Sequence, residues 1–324
     1  MRAVVCSELG PAESLELVEI PDPVPGPGEV VLDVRAAALN FPDTLVIEGK
    51  YQMQPELPFI PGGEAAGVIA AVGEGVSGYS IGAPFISMGL VGAFAEKWKV
   101  PAQTLMPKPE QLSFEEAAAF GLTYGTSYYA LKQRAALQAG ETLLVLGAAG
   151  GVGSSAVEIG KAMGARVIAA ASTDEKLEFA AEMGADEGIN YSTEDLRARI
   201  KEITGGAGVD VVYDPVGGDL SEPALRSTAW NGRFLVIGFA AGPIPQIPLN
   251  LMLLKGVSAI GVFWGSWSTR DPMASMQNFG ELFSMVAEGR LHPRVTDVYP
   301  LEDFESAFGA LTGRRARGKV VLRV

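Results

Sequence analysis

One segment of this 324-residue chain constrains its fold more than any other: residues 141–153, which read ETLLVLGAAGGVG. The apolar run Leu143–Leu146 ends in a cluster of glycines, and an amphipathic stretch, Ser154–Met163, follows it. A second apolar run, Arg166–Ala171, begins about 20 residues after the first. This order predicts a buried strand, a tight turn, a helix and a second strand. Such a unit binds the pyrophosphate of a dinucleotide with backbone N–H groups at the positive end of the helix.

Two registers of the glycine fingerprint fit this turn. The first is Gly151-x-Gly153-x-x-Ala156, with alanine in the last position. The second begins with alanine at Ala148 and continues at Gly150 and Gly153. Both registers place a dinucleotide at the turn, so the choice changes the roles of single residues and not the conclusion. The predicted cofactor-binding residues of the turn are Ala148, Gly150, Gly151, Val152 and Gly153.

The net charge of −13 argues against a polyanionic partner, because the chain has no basic run long enough to neutralise the phosphates of a nucleic acid. The short basic cluster Arg314–Arg317 is large enough to hold a single phosphate. No apolar run reaches the length of a bilayer span, and the N-terminus lacks the pattern of a secretory signal. We therefore expect a cytoplasmic protein that binds neither nucleic acid nor membrane.

Cys6 is the only cysteine of the chain and His292 the only histidine. A single cysteine excludes an internal disulfide, which suits a reducing cytoplasm. A protein zinc site needs three or four converging Cys, His or carboxylate ligands, so this composition argues against a metal. It also argues against a Ser-His-Asp hydrolase, for which the chain has no G-x-S-x-G elbow. We expect Cys6 to be a small core residue and His292 to be structural or solvated.

The first 120 residues carry short alternating runs split by Pro and Gly clusters, which is typical of an all-β domain. These runs are Glu29–Ala36, Ala65–Val72 and Phe94–Val100. A helix is predicted at Ser113–Ala119, with Ser113 as its N-cap and Glu116 as the capping-box partner.

From about residue 123, apolar strands alternate with helices, which predicts a doubly wound parallel sheet covered on both faces. The predicted strands are residues 142–147, 166–171, 209–213 and 233–237, and the predicted helices are residues 152–163, 174–183, 194–203 and 221–229. Two later helices, Met276–Glu288 and Leu301–Thr312, and a final strand, Lys319–Val324, are expected to return to the first domain. The predicted domains are therefore residues 1–122 with 263–324, and residues 123–262.

The end of the second strand of the parallel sheet indicates which nicotinamide is bound. NAD-specific sites place an acid there to bind the ribose 2′-OH, but this strand ends in Ala171-Ser172-Thr173. The acids that follow lie in the first turn of the next helix, where acids are favoured anyway. Two hydroxyls and Lys176 suit a 2′-phosphate, so NADPH is favoured over NADH. In the alternative interpretation, Ser172 caps the helix and Lys176 is solvated.

Several further segments together carry a resemblance. They are AAALNFPD at Ala36–Asp43, IPGGEAAG at Ile60–Gly67, GLT at Gly121–Thr123, DPVGG at Asp214–Gly218 and GKVVL at Gly318–Leu322. With the AAGGVG turn, they resemble the zinc-free quinone oxidoreductase branch of the medium-chain dehydrogenase/reductase superfamily over nearly the whole chain. Gly63 stands where zinc-dependent relatives carry a histidine. The resemblance implies an α/β fold, with a Rossmann domain and a GroES-like, mostly-β catalytic domain that the C-terminal segment completes.

The resemblance also implies residues that bind the cofactor. Lys176, Tyr191 and Arg314 match positions that hold the 2′-phosphate in NADPH-dependent members, with Arg315 as a competitor for the role of Arg314. In the alternative interpretation, Tyr191 is a half-buried edge residue. The other implied cofactor-binding residues are Thr123, Ser172, Thr173, Gly217, Phe239, Phe263 and Trp264.

For the substrate site and catalysis, the resemblance implies Asn40, Asp43 and Tyr51, with Thr123 near the nicotinamide. Asn residues in loops commonly bind backbone, and Asp43 in the alternative interpretation caps a helix at Thr44–Glu48. Tyr51 and Tyr124 are candidates for a proton donor, and the sequence assigns the role to neither. Trp264 and its neighbour Trp267 also fit a role as apolar packing residues.

The sequence therefore predicts an NADPH-dependent, metal-free oxidoreductase that reduces a quinone or a similar activated carbonyl acceptor. The first alternative is an enoyl-type reductase of an unsaturated carbonyl or acyl-CoA, for which Lys50 and Arg270 are candidate contacts to a CoA ester. The second alternative is an NADPH-binding sensor with little turnover. A homodimer is also expected, because Gly242–Gly256 is matched in the family by an edge strand that pairs with its two-fold mate. In the alternative interpretation, this segment is an ordinary loop followed by a buried helix.

Overall fold

The chain folds into two units in a computed structural model that describes residues 1–324. The first unit comprises Met1–Leu122 and Pro293–Val324, and the second unit comprises Thr123–His292. None of the helices combines the length and the apolar character that a membrane span requires.

Strands dominate the first unit, whereas strands and helices alternate in the second. The strands are β1 (Arg2–Val5), β2 (Glu16–Glu19), β3 (Glu29–Leu39), β4 (Glu64–Val72), β5 (Pro84–Met88), β6 (Lys97–Pro101), β7 (Met106–Pro107), β8 (Thr142–Leu146), β9 (Arg166–Ala171), β10 (Glu187–Asn190), β11 (Val209–Asp214), β12 (Thr228–Val236), β13 (Ser258–Gly261), β14 (Val295–Pro300) and β15 (Lys319–Arg323). The helices are α1 (Phe41–Ile47), α2 (Phe114–Ala118), α3 (Gly121–Tyr128), α4 (Gly151–Ala162), α5 (Asp174–Glu182), α6 (Leu196–Ile203), α7 (Ser221–Arg226), α8 (Asn250–Lys255), α9 (Trp264–Arg270), α10 (Pro272–Ala287) and α11 (Phe304–Thr312).

The second unit is built on a six-stranded sheet with the order β10-β9-β8-β11-β12-β13, in which every neighbouring pair is parallel. Numbered along the unit this order is 3-2-1-4-5-6, the Rossmann arrangement, so the predicted fold class is confirmed. Apolar side chains of the inner strands form its core, among them Leu144, Ile168 and Val212. The four strands predicted for this sheet are all present, whereas β10 and β13 were missed because both are short.

The first unit is built on a seven-stranded sheet with the order β14-β15-β3-β4-β5-β7, and β6 pairs with β3. The C-terminal strand β15 lies antiparallel to β3, with Leu322 opposite Ala37. The C-terminal segment therefore completes this sheet, as expected. The capping box of α2 is also confirmed, because Glu116 N donates to Ser113 Oγ (3.1 Å) and Ser113 N donates to Glu116 Oε2 (2.8 Å).

Residues 263–292 lie in the second unit, although the sequence analysis assigned them to the first domain. Their helix α10 is joined to the π-helical stretch Tyr129–Arg134 by polar contacts within the second unit. Lys132 Nζ pairs with Glu281 Oε2 (2.6 Å), and Gln133 Nε2 donates to Asn278 Oδ1 (2.8 Å). Periodicity identifies a helix but does not reveal its packing partner, which explains the difference.

The edge strand expected within Gly242–Gly256 is not found there. Residues 242–249 form no strand, and the helix α8 follows them. The prolines at 243, 245 and 248 lack the N–H group that a strand ladder needs, which explains the irregular backbone. The edge of the parallel sheet is instead formed by β13, which begins two residues after the predicted segment.

Candidate functional site

The loop from β8 to α4, which we call the glycine turn (residues 147–153), brings helix and loop into unusually close contact. A Cβ atom added at Gly153 would lie 2.1 Å from the Gly147 carbonyl oxygen, so only glycine fits there. Gly147 has a φ of +60°, and Gly150 is the N-cap of α4. Close packing of the helix is the role of the last glycine in the fingerprint. The geometry therefore corresponds to the register Ala148, Gly150, Gly153.

The same turn presents a row of backbone donors. The first bond of the helical ladder runs from Ser154 N to Gly150 O (2.8 Å), so the N–H groups of Gly151, Val152 and Gly153 precede it. Two other N–H groups of the turn already have partners, because Gly150 N donates to Gly147 O (2.9 Å) and Ala148 N donates to Ala170 O (3.1 Å). The first turn of a 12-residue helix with such donors favours an anionic group such as a pyrophosphate.

A second turn, after β11, lies beside the glycine turn. The buried carboxylate of Asp214 accepts hydrogen bonds from Val216 N (2.9 Å), Gly217 N (2.8 Å) and Ser221 Oγ (2.6 Å). Burial raises the pKa of Asp214, and these hydrogen bonds oppose the shift. Gly217 has a φ of +71°, and a Cβ there would lie 2.9 Å from the ring of Phe239. Asp214 therefore shapes the turn that holds Gly217 against Phe239.

These two turns follow β8 and β11, the adjacent strands at which the order of the sheet reverses. A Cβ on Gly147 would lie 2.8 Å from the Val216 side chain, so the turns are in close contact. Dinucleotides bind in the crevice at this topological switch point in Rossmann folds. The structure thus brings Ala148, Gly150, Gly151, Val152, Gly153 and Gly217 together.

At the end of β9, Thr173 and not Ser172 is the N-cap of α5, and its hydroxyl accepts from Lys176 N (3.3 Å). Lys176 Nζ donates to Ser172 Oγ (3.2 Å), so the ammonium and the hydroxyl are adjacent. The nearby acid Asp174 is engaged by Asn190 Nδ2 (2.7 Å). The tip of the strand therefore offers donors to a phosphate.

Tyr191 and Arg314 lie in different units. Tyr191 follows β10 in the second unit, where its N–H donates to Ala171 O (3.1 Å), and its side chain is half-buried. Arg314 follows α11 in the first unit, is exposed and has a φ of +54°, which is uncommon for a residue other than glycine. Arg315 is also exposed, so the competition between the two arginines for one phosphate stays open.

The aromatic residues predicted along the cofactor divide into exposed and packed ones. Phe263 is 49% exposed. The Trp264 ring meets the Phe279 ring edge-on at 6.2 Å, and a Cβ on Gly125 would lie 2.8 Å from it. Trp267 stacks on Tyr129 at 4.2 Å. Within the second unit Trp264 and Trp267 therefore have packing roles, whereas Phe263 presents its ring at the surface.

Thr123 and Tyr124 are tied to α4. The carbonyl of the buried Thr123 accepts from Ser155 Oγ (3.1 Å). The Tyr124 hydroxyl donates to Glu158 Oε2 (2.5 Å), and the other carboxylate oxygen of Glu158 accepts from His292 N (2.5 Å). Tyr124 therefore serves a buried contact to α4, and its side chain is 3% exposed. This weakens its candidacy as a proton donor.

In the first unit, Asn40 and Asp43 belong to a group of buried polar residues with Glu64 and Lys319, which we call the polar cluster. Lys319 Nζ donates to Glu64 Oε1 (2.9 Å), Asn40 Oδ1 (2.6 Å) and Leu39 O (2.9 Å). Asn40 Nδ2 also donates to Glu64 Oε1 (2.7 Å). Lys319 is 6% exposed and Glu64 is 0% exposed, so this ion pair is removed from solvent.

Asp43 and Asn40 form the start of α1. Asn40 is the N-cap, and its backbone N–H donates to Asp43 Oδ2 (2.7 Å). Asp43 thus stands in the first turn and is not the N-cap of a helix at Thr44–Glu48, as the alternative interpretation had it. Burial raises the pKa of Asp43 to about 7, although the Asn40 N–H and the Lys319 charge oppose the shift.

Tyr51 is half-buried and packs against the core of the first unit. Burial raises the pKa of the Tyr51 hydroxyl, and the charge of Asp43 raises it further. The structure brings two of the three predicted catalytic residues of this unit, Asn40 and Asp43, into direct contact. The third, Tyr51, lies near enough for the charge of Asp43 to raise the pKa of its hydroxyl.

Two members of the polar cluster, Glu64 and Lys319, were missed as site residues by the sequence reasoning. A signal for Glu64 was present, because it is the only charged residue between Glu56 and Glu74 and begins an apolar strand. Lys319 likewise begins the apolar strand β15. No three His, Cys, Asp or Glu side chains lie close enough together to hold a metal ion.

Two known families match the chain: a zinc-binding dehydrogenase family over residues 151–279 and an alcohol dehydrogenase GroES-like domain over residues 26–110. The chain is 40% identical over 323 residues to rat quinone oxidoreductase-like protein 2, which covers 99% of this chain and 91% of that protein. The structure of Escherichia coli quinone oxidoreductase complexed with NADPH has a TM-score of 0.92 and 32% identity, covering 100% of both chains. The CurK enoyl reductase structure has a TM-score of 0.89 and 29% identity, covering 99% of this chain and 98% of that one.

Proposed function

Because the chain belongs to the quinone oxidoreductase branch of the medium-chain dehydrogenase/reductase superfamily and is an oxidoreductase, we propose that it reduces quinones or similarly activated carbonyl compounds with NADPH and without a metal ion. One observation carries the cofactor assignment. The glycine turn packs Gly153 against Gly147 O and presents backbone donors, while the nearby strand β9 is followed by Ser172 and, in the first turn of α5, by Lys176.

NADPH fits these residues better than NADH. An acid at the end of β9 would repel a 2′-phosphate, and the nearest one, Asp174, is bonded to Asn190. Lys176 Nζ and Ser172 Oγ, 3.2 Å apart, offer a charged and a neutral donor at this point. The E. coli relative is complexed with NADPH, which supports the same choice. The proposed cofactor-binding residues are Thr123, Ala148, Gly150, Gly151, Val152, Gly153, Ser172, Thr173, Lys176, Tyr191, Gly217, Phe239, Phe263, Trp264 and Arg314.

The acceptor is proposed to bind at Asn40, Asp43, Tyr51 and Thr123. When bound, NADPH supplies a hydride, and the acceptor takes up a proton to complete the two-electron reduction. The Asn40 amide donates a hydrogen bond to the oxygen on which negative charge develops. Burial raises the pKa of Asp43 to about 7, so its carboxyl exchanges between the protonated and the ionised form near neutral pH, and Tyr51 lies near it. Without a metal to polarise the oxygen, activated acceptors are favoured over simple ketones.

An enoyl-type reduction is the second candidate, and the similarity to CurK enoyl reductase favours it. The residues suggested for a CoA ester give it little support. Lys50 Nζ is paired with Glu48 Oε2 at 2.6 Å, and Arg270 Nε donates to Ser266 Oγ at 3.2 Å. We therefore keep an unsaturated carbonyl compound without CoA as the preferred form of this alternative.

The test is a titration with NADPH and NADH separately, followed by fluorescence, and then the addition of 1,4-benzoquinone or 9,10-phenanthrenequinone while nicotinamide absorbance is recorded. Tighter binding of NADPH together with quinone-dependent oxidation is the expected result. Turnover with an enone but not with a quinone would favour the second candidate. Tight binding without turnover of either class would favour a sensor. Tighter binding of NADH would contradict the proposed 2′-phosphate site.

A homodimer is also proposed, on the exposed apolar surface near the edge of the parallel sheet. Leu249, Leu253 and Leu254 are 76%, 80% and 67% exposed. The strand β13 ends the sheet and pairs only with β12. An unpaired edge beside exposed leucines is an aggregation hazard in a monomer. Light scattering after size exclusion is expected to give twice the mass of 34.0 kDa, and L253E is expected to give the monomer mass.

A further inference from the structure

Lys319 uses all of its hydrogen-bonding capacity inside the polar cluster. A lysine ammonium has three donor hydrogens and no acceptor. Its three acceptors here are Glu64 Oε1 (2.9 Å), Asn40 Oδ1 (2.6 Å) and the backbone carbonyl of Leu39 (2.9 Å). No donor of Lys319 is left for a substrate, so the direct role that a buried lysine suggests at first sight is excluded.

These bonds fix the orientation of the Asn40 amide. Because an ammonium only donates, the Asn40 oxygen faces Lys319 and its Nδ2 faces Glu64 Oε1, at 2.7 Å. The other Glu64 oxygen accepts from Leu122 N (2.8 Å), which holds the carboxylate in place. One of the two Nδ2 hydrogens of Asn40 bonds to Glu64. The second hydrogen is the side-chain donor that the polar cluster leaves unused within the first unit.

The energetics of the Lys319–Glu64 ion pair also indicate that it serves to orient Asn40. Removing two charges from water costs about as much as their attraction returns, so a buried ion pair is a poor source of stability. Glu64 is 0% exposed and Lys319 is 6% exposed, so this desolvation cost applies to both. A pair of this kind is better explained by what it positions. Here the pair forms hydrogen bonds with both the oxygen and the nitrogen of the Asn40 side-chain amide. An asparagine at the end of a strand that lacked these bonds would be free to turn about its side-chain bonds.

We infer that Lys319 and Glu64 are positioning residues that lock the Asn40 amide so that its second Nδ2 hydrogen is aimed at the oxygen of the acceptor. The inference rests on the proposed function, in which Asn40 stabilises the developing negative charge. Lys319 and Glu64 exchange no proton or electron in the reaction. Their effect on the reaction is inferred to run through Asn40. Lys319 and Glu64 also shift the pKa of Asp43, but in opposite directions, so a variant that removes both charges together tests the effect on Asn40.

The test compares four variants with the wild-type protein: N40L, the pair-neutralised K319M/E64Q, the triple variant N40L/K319M/E64Q, and K319R. K319M/E64Q removes both charges together and keeps the side-chain volumes, so it is expected to fold with a similar melting temperature. NADPH affinity is expected to stay within about 3-fold of wild type in all variants, because the glycine turn is untouched. The readouts are kcat and KM for the quinone and the dissociation constant of NADPH.

We expect N40L to lower kcat/KM by about 100-fold or more, the range for a transition-state donor that is lost, and K319M/E64Q, which keeps the donor but misaligns it, to lower kcat/KM by about 10-fold. The triple variant is expected to be no worse than N40L, because residues that act through Asn40 have no effect once the amide is gone. Wild-type kcat/KM in K319M/E64Q, or a loss that multiplies with that of N40L, overturns the inference.

Two further measurements keep the inference separate from stability and from the proposed function. K319R keeps the charge, but its planar guanidinium cannot reproduce three tetrahedral bonds, so about a 10-fold loss in kcat is expected. If K319M/E64Q does not fold, K319R with wild-type kcat overturns the inference. The Asn40 side-chain amide, labelled with ¹⁵N and assigned by its absence in N40L, is expected to exchange hydrogen slowly in the wild type and quickly in K319R. That result stands even if the wild type reduces no quinone, an outcome that contradicts the proposed function alone.

Discussion

The glycine turn of the second unit presents backbone N–H groups, whereas the polar cluster of the first unit presents side chains. The turn is made of seven consecutive residues, and its shape depends on the absence of Cβ atoms, since Gly153 lies against Gly147 O. The cluster is made of residues as distant in sequence as Asn40 and Lys319, and its shape depends on a complete set of hydrogen bonds. One site is therefore fixed by steric exclusion and the other by pairing.

The two kinds of site respond differently to substitution. A turn held by steric exclusion fails when any atom is added at its tightest point, because the backbone itself has to move. A cluster held by pairing fails when one partner is removed and survives when both are removed together. The polar cluster also contains an ionisable group, Asp43, whose charge changes with pH, whereas the glycine turn has no titratable side chain.

The largest effect is expected from Gly153→Ala. Its Cβ would lie 2.1 Å from Gly147 O, so helix α4 and the turn must separate. We expect the free energy of unfolding to fall by about 2 kcal/mol. We expect the dissociation constant of NADPH to rise by about 100-fold, because the backbone donors are displaced. Thermal unfolding and a fluorescence titration measure the two effects.

Two control variants sharpen this prediction. At Gly280 in α10 an added Cβ meets no atom within 4 Å, so Gly280→Ala is expected to leave NADPH affinity unchanged. At Gly150 the added Cβ would lie 3.4 Å from Gly147 O, an ordinary contact. Gly150→Ala is therefore expected to weaken NADPH binding without lowering the melting temperature. A Gly153→Ala protein that binds NADPH normally would show that the turn is more tolerant than its geometry indicates.

The difference between the two sites also explains what the sequence could predict. In the second unit, four of the six strands, the helices that alternate with them and the glycine turn were predicted, because each of these is a local pattern of apolar period and glycine. The strand β9 was predicted with the correct bounds, and the start of α4 was predicted within one residue. The register of the fingerprint stayed open, because the contact between Gly153 and Gly147 O depends on the helix direction and not on the spacing.

The polar cluster was only half predicted. Asn40 and Asp43 were predicted because the segment that contains them resembles a known family. Glu64 and Lys319 lie in the segments IPGGEAAG and GKVVL, which carry the same resemblance, but they were not predicted as site residues. Their contact requires β15 to pair with β3, and a strand pairing over about 280 residues leaves no local pattern. The assignment of residues 263–292 differs for the same reason, since the contact between Lys132 and Glu281 is also distant in sequence.

The next largest effect is expected from Lys176→Met, in the first turn of α5. If the ammonium beside Ser172 binds the 2′-phosphate, its loss removes a charged hydrogen bond. We then expect the dissociation constant of NADPH to rise by about 10-fold while that of NADH changes little. Lys161→Met is the matched control, because Lys161 is paired with Asp186 (2.7 Å) in the same unit. Equal losses for NADPH and NADH would contradict a 2′-phosphate site.

A smaller effect, and one that depends on pH, is expected from Asp43→Asn. Folding raises the pKa of Asp43 to about 7, so between about pH 4 and pH 7 the folded state binds more protons than the unfolded state. Its contribution to stability is therefore lost as the pH rises through this range. Asparagine cannot ionise, so relative to wild type the variant is expected to gain about 2 kcal/mol between pH 5 and pH 8. Urea unfolding at several pH values measures this gain, with Glu110→Gln at an exposed position of the same unit as the control. Parallel curves for wild type and Asp43→Asn would contradict it.

The smallest effect is expected from Tyr213→Phe, which asks whether side chains contribute to the glycine turn. The buried Tyr213 hydroxyl lies 2.8 Å from Ser127 Oγ, which is 3.0 Å from Val152 O in the first turn of α4. Ser127 keeps its bond to Val152 O in the variant, so we expect a loss of about 1 kcal/mol in unfolding free energy and less than a 3-fold change in NADPH affinity. Ser127→Ala removes the link to Val152 itself and is expected to cost more stability. A large loss of NADPH affinity in Tyr213→Phe would mean that pairing of side chains, and not steric exclusion alone, holds the turn in place.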